Sequence, residues 1–104
     1  MEDIKQTLSR YPALLWEIEQ AERELEKTPA ALREAVRERI RALREQALRI
    51  RRAVEAVPQP KLRLVLKCRY LEGMTFEEAA EALYMSERHI YRLHSEALKE
   101  VRIE

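Results

Sequence analysis

Eight polar or aromatic side chains crowd into the last third of the chain: Thr75, Ser86, Glu87, Arg88, His89, Tyr91, Arg92 and Ser95. These types suit recognition better than catalysis. A guanidinium pairs bidentately with guanine, and hydroxyl, carboxylate and phenol groups hydrogen-bond or stack on base edges and phosphates. Arg88 and Arg92 are the strongest candidates for base contacts, with Glu87 and Tyr91 beside them. Thr75, Ser86, His89 and Ser95 are candidates for phosphate contacts.

Two helices would have to carry these residues. Thr75 can cap the first, and Glu78 three residues later completes a capping box. Ser86 can cap the second. Only Leu83, Tyr84 and Met85 separate them, so the helices must cross steeply and share one small core. Ala79, Leu83, Met85, Ile90 and Leu93 fall where such a helix-turn-helix needs apolar contacts. Ala80 falls at the closest approach, where a larger side chain would push the helices apart. The second helix then keeps Glu87, Arg88, Tyr91, Arg92 and Ser95 on its outer face. Local pattern alone also fits an ordinary helical hairpin with a polar outer face.

The run from Val65 to Ala80, VLKCRYLEGMTFEEAA, resembles the start of the promoter-binding region 4 of bacterial sigma factors. That family runs hydrophobic-Leu-Arg-x-Arg-aromatic, then Glu-Gly, then Thr or Ser-x-Glu-Glu and two small or apolar residues. Leu83 to Leu93, then Ala97 and Leu98, continue the likeness, which covers roughly residues 60 to 102. With its helical N-terminal half, the chain is similar to small phage-encoded regulators of the RinA and ArpU type. The resemblance implies that Glu87, Arg88, Tyr91 and Arg92 occupy the positions that read the promoter element. The residue types differ at each, which implies a different preferred sequence. One departure concerns the turn, where the family usually has Gly and this chain has Tyr84. Gly suits the left-handed backbone common there, so Tyr84 predicts either a different turn or local strain.

The N-terminal half supplies helices of another kind. Asp3 could cap a short turn carrying Ile4 and Leu8. Pro12 fits the first position of a helix whose stripe is Tyr11, Leu15, Ile18 and Leu25, with Ala21 or Glu22 between and Trp16 off the stripe. Thr28-Pro29 reads as the end of that helix and the capped start of the next. There Leu32, Val36, Ile40, Leu43, Ala47, Ile50, Val54 and Val57 form a near-heptad seam about 42 Å long. The shorter first helix cannot cover it. The surplus should dock on the C-terminal unit, on a second copy or on another protein. Residues 17–26 carry a charge balance of −4 and residues 33–52 one of +5. Acid–base pairing of the two helices is the favoured explanation. The sharper alternative places Arg49, Arg51 and Arg52 on DNA phosphates. Pro58-Gln59-Pro60 breaks the chain. A helix from about Lys61 to Glu72 follows, with Leu62, Val65, Leu66 and Tyr70 inward and Gly73 as its C-terminal cap.

Composition excludes other classes. Of 104 residues, 38% are charged and one is Gly, which suits helices and not sheets. The net charge of +1 is no polycation, and eight Lys or Arg face eight Glu from Pro58 onward. The lone Cys68 forms no internal disulfide framework and reads as a buried small hydrophobe. His89 and His94 point to different faces of one helix, and no Cys or His spacing matches a zinc site. There is no phosphate loop and no nucleophile motif, so neither an enzyme nor a cofactor is expected. No run is long and apolar enough for a membrane and no signal peptide opens the chain, so a soluble protein of the bacterial cytoplasm is expected.

The expected fold is therefore all-α: an N-terminal antiparallel helical hairpin (1–57, coiled-coil-like) and a C-terminal sigma-region-4-like helix-turn-helix domain (58–104). The leading function is a sequence-specific DNA-binding transcription regulator, phage or prophage encoded. The rival is a protein-interaction module that binds host RNA polymerase or a coiled-coil partner. Double-stranded DNA is the expected partner, with RNA polymerase and a second copy of the chain as further candidates.

Overall fold

Prolines and capping residues divide the described residues into six α-helices. The computed structural model describes residues 3–103. Helix α1 spans Ile4–Ser9 and α2 Tyr11–Lys27, with Pro12 in its first turn, where a missing N–H leaves no hydrogen bond unmade. A single 3-10 turn, Ala30–Leu32, leads into α3, Arg33–Glu55. After the Pro58–Pro60 break, α4 spans Pro60–Leu66 and widens into a π-helical turn, Lys67–Leu71. Helices α5 (Phe76–Ala82) and α6 (Glu87–Glu100) follow. No strand occurs among the described residues. The all-α class is as expected.

Helices α2 and α3 run along each other as a hairpin, while α4, its π-helical turn and α5 pack on α6. Extents of 53 × 27 × 21 Å follow from one long arm attached to a rounder body. The apolar core does not stop at the proline break. Leu8, Tyr11, Leu14 and Ile18 join Ala47, Ile50, Ala53, Val54 and Val57, and these meet Leu62, Val65, Leu66, Ile90, Ala97 and Val101 in one cluster. The surplus seam of α3 is thus covered by the chain's own C-terminal body and by α1. At the far end of the arm a small second cluster holds Ala21, Val36 and Ile40, with Leu25 beside it.

Three local expectations change. Leu14, not Leu15, faces the core: Leu14 is buried and Leu15 is 45% exposed. Two adjacent leucines give a periodic pattern no means of choosing between them, and packing against residues far along the chain decides. Thr28 does not cap α3. Its hydroxyl donates back to the Glu24 carbonyl at 2.6 Å, so it closes α2, and Pro29 precedes a 3-10 turn in which Leu32 is exposed. Asp3 stands at the N-cap of α1, but its side chain makes no capping hydrogen bond.

The charged helices of the arm do pair. Arg44 donates to Glu22 at 2.9 Å, and Arg39 pairs with Glu24 across the α2–α3 boundary. Arg23–Glu19 and Arg41–Glu38 close within single helices. All are exposed, so each contributes roughly 0.2–1 kcal/mol at most.

Candidate nucleic-acid interface

Helix α6 has a sharply divided surface. Ile90, Leu93, His94 and Ala97 are buried, whereas Glu87, Arg88, Tyr91, Arg92, Ser95 and Lys99 are exposed. Arg88, Arg92, Ser95 and Lys99 follow steps of four, three and four, which places them along one outward stripe. Lys99 extends the stripe beyond the residues singled out from sequence. Among the described residues, neither Arg88 nor Arg92 has an acidic partner. His89 is half-buried at the edge of this face.

The helix is braced at three places. Ser86 caps it, accepting from the His89 N–H at 3.1 Å. Thr75 and Glu78 form the expected reciprocal box on α5: the Glu78 N–H donates to Thr75 Oγ1 at 3.1 Å and the Thr75 N–H to Glu78 Oε1 at 2.9 Å. The Thr75 N–H foremost, with the Thr75 side chain beside it, holds the Glu78 carboxyl below its ordinary pKa. Ala79 and Ala80 are buried at the crossing of α5 and α6, where small side chains permit close approach.

The third brace is aromatic and was not legible from spacing. Tyr70 in the π-helical turn and His94 on α6 share a buried hydrogen bond of 2.6 Å. Burial lowers the His94 pKa, helped by the charges of Lys5 and Arg69, and burial raises that of Tyr70. Both groups are therefore neutral near pH 7, and the hydrogen bond joins the phenol oxygen to imidazole Nε2. Phe76 meets His94 edge-on at 4.9 Å and Tyr91 at 4.6 Å. The Arg69 guanidinium lies 4.8 Å from the centre of the Phe76 ring and donates to the Met74 carbonyl at 3.1 Å. Through Phe76 and Tyr91, the Thr75 end of α5 is drawn toward the outer face of α6.

The turn between α5 and α6 shows what Tyr84 does there. The Met85 N–H donates to the Ala80 carbonyl at 2.9 Å and the Tyr84 N–H to the Glu81 carbonyl at 3.3 Å. That is the two-bond pattern of a helix C-terminus closed by a left-handed residue. Tyr84 is that residue, with φ 56°, and it is 96% exposed. The usual turn geometry is kept, and Tyr84 bears strain of roughly 1–2 kcal/mol. Gly73 fills the same role after the π-helical turn, at φ 71°, and the Met74 N–H donates to the Cys68 carbonyl at 2.9 Å.

The three α3 arginines divide. Arg51 donates through Nε and a terminal nitrogen to Tyr11 Oη at 3.2 and 2.9 Å, so it braces α2. Arg49 and Arg52 line a recess of about 430 Å³ with Glu45, Leu48, Ala53, Ala56 and Arg102. Arg102, not foreseen from sequence, donates to the Lys99 and Val101 carbonyls just past the end of α6. Among the described residues no group of three or more His, Cys, Asp or Glu could hold a metal ion, and no helix is long and apolar enough to cross a membrane. Cys68 is free and buried, and burial pushes its thiol pKa up.

No curated protein and no solved structure matches the chain. Residues 59–102 match the family model described as Sigma-70, region 4. The capped α5, the tight turn at Tyr84 and the outward face of α6 all lie inside that stretch, so the C-terminal body is a sigma region 4-like helix-turn-helix of the DNA-binding kind.

Proposed function

We propose that the protein is a sequence-specific, DNA-binding transcription regulator, phage or prophage encoded, that lays α6 in the major groove. The observation that carries this reading is the pair Arg88 and Arg92: both are exposed on a helix whose opposite face is locked into the core, and neither has an acidic partner among the described residues. A rigid helix presenting free guanidinium groups suits bidentate contact with guanine. Glu87, Tyr91 and Ser95 flank them toward neighbouring bases, and Thr75, Ser86 and His89 stand at the end of the helix where a phosphate backbone would pass. Arg49, Arg52 and Arg102 form a second basic group for flanking phosphates. Arg51 is held by Tyr11 and contributes less.

Selection of bound fragments from random duplex DNA, with affinity followed against salt, tests this reading. Duplex binding should weaken steeply as salt rises. Arg92→Ala should cost about 1–3 kcal/mol of specific binding and relax one base position. An unchanged affinity and an unchanged selected sequence would remove Arg92 from the interface. Enrichment of a palindrome would show two copies binding together.

A protein-interaction role is the second reading, and Trp16 favours it. This ring is 62% exposed and lines a recess of about 340 Å³ between α2 and α3 with Ala21, Arg39 and Leu43. Exposed aromatic residues are frequent anchors of protein interfaces. RNA polymerase or a second copy of the chain would then be the partner, bound with little dependence on salt.

A further inference from the structure

We infer that Tyr84 is a contact residue for nucleic acid: its phenol O–H donates to a backbone phosphate and its ring covers the adjoining deoxyribose of the duplex that α6 reads. The inference rests on the DNA reading above and assigns that interface one more residue. Three observations converge on it. Tyr84 is 96% exposed, whereas the other exposed large apolar residues range from 42% to 62%. Among the described residues it is the one non-glycine with positive φ. Its phenol has no partner within the chain among the described residues. Its backbone closes α5 through the Tyr84 and Met85 N–H bonds, whereas its ring has no hydrogen-bond partner among the described residues.

Its position gives the missing contact a direction. Tyr84 stands two residues before the Ser86 cap and four before Arg88, at the end of α6 that carries both. Any duplex that meets Arg88 brings a sugar–phosphate strand past this corner. Tyrosine suits such a strand, since its flat apolar body covers the sugar and its O–H reaches the phosphate oxygen. At 96% exposure the ring projects outward from this corner. A phosphate contact carries no base information, so Tyr84 should add affinity and leave selectivity to Arg88 and Arg92.

Tyr84→Gly and Tyr84→Asn remove the ring and relax the left-handed backbone. The full-length variants are compared with the parent on a duplex the parent selects and on unrelated duplexes. Both should bind about five- to tenfold more weakly on every duplex, with the selected sequence unchanged. Their thermal midpoints should equal or exceed the parent's. Tyr84→Phe, which lacks only the hydroxyl, should fall between parent and Tyr84→Asn. Affinities within about twofold of the parent for both small variants would overturn the assignment. So would thermal midpoints lower by more than about 5 °C, since the ring would then belong to the fold. Loss of binding to a protein partner with duplex affinity intact would also overturn it. A parent with no duplex affinity overturns the DNA reading and this assignment together; a parent that binds, with unaffected Tyr84 variants, overturns this assignment alone.

Discussion

The far end of the α2–α3 arm and the C-terminal body use the same residue types to opposite ends. In the arm, arginines face glutamates of the neighbouring helix or their own turn, as Arg44 does Glu22 and Arg39 does Glu24. Its apolar cluster is small, built on Ala21, Val36 and Ile40. In the body the core is large and continuous with that of α1–α3, and Arg88 and Arg92 point away from it without acidic partners among the described residues. Charge that closes on the protein's own surface supports the fold weakly. Charge held outward by a rigid apolar core is available to something else. On the proposed reading, the outward arginines of α6, and not the net charge of +1, mark the interface.

The sharpest way to break that comparison is through the two cores. Ile90 is fully buried beneath the outer face of α6, and Ile40 is buried in the small arm cluster. Ile90→Ala should cost about 2–5 kcal/mol of stability, because the crowded body cannot collapse around the cavity. Ile40→Ala should fall near the lower end of that range, since the arm end is two helices thick and can close up. Chemical denaturation of both variants checks the order. Equal losses would mean that the arm end is as tightly determined as the body.

Much of this was readable in the residues, and the unreadable parts share a cause. Thr75, Glu78 and Ser86 specify their own caps over three residues, and local chemistry of that kind survives folding unchanged. The inward set Leu62, Val65, Leu66 and Tyr70 followed from spacing alone. The long seam of α3 announced that it needed a cover, but not which one, because Ala47, Ile50 and Val54 meet residues far along the chain. The His94–Tyr70 bond spans 24 positions, so nothing near His94 distinguished it from His89, which stays at the surface. Leu14 against Leu15 turned on packing with residues far along the chain. Among the candidate interface residues, Lys99 could have been found by continuing the outward stripe one more turn. Arg102 could not, because it lies past the helix end.

The His94–Tyr70 brace gives the comparison a pH axis. Burial lowers the His94 pKa in the folded body, with the Lys5 and Arg69 charges acting in the same direction. The unfolded chain takes up a proton near the ordinary value of 6.5, while the folded chain resists it. The contribution of His94 is therefore complete above that value and declines as pH falls below it. The slope is bounded by one proton, about 1.4 kcal/mol per pH unit. His94→Gln keeps both a donor and an acceptor for Tyr70 and does not titrate. Between about pH 7.5 and 5.5 it should lose less stability than the parent, whereas parallel curves would remove His94 as the cause.

The smallest expected effect sharpens the comparison most, because it asks the arm's charges to do nothing at the interface. Arg44 is exposed and donates to Glu22 at 2.9 Å across the hairpin. Arg44→Ala should lower stability by roughly 0.2–1 kcal/mol, with less loss at high salt, where the pair is already screened. Glu22→Ala should behave alike, and the double variant should lose less than the sum of the two. Because Arg44 already has an acidic partner within the arm, neither variant should change duplex affinity or its dependence on salt. On the proposed reading, removing Arg49 or Arg52 should flatten that dependence by about one ion. If Arg44→Ala flattened it too, the arm would belong to the interface, and pairing with a glutamate would no longer separate structural charge from binding charge in this protein.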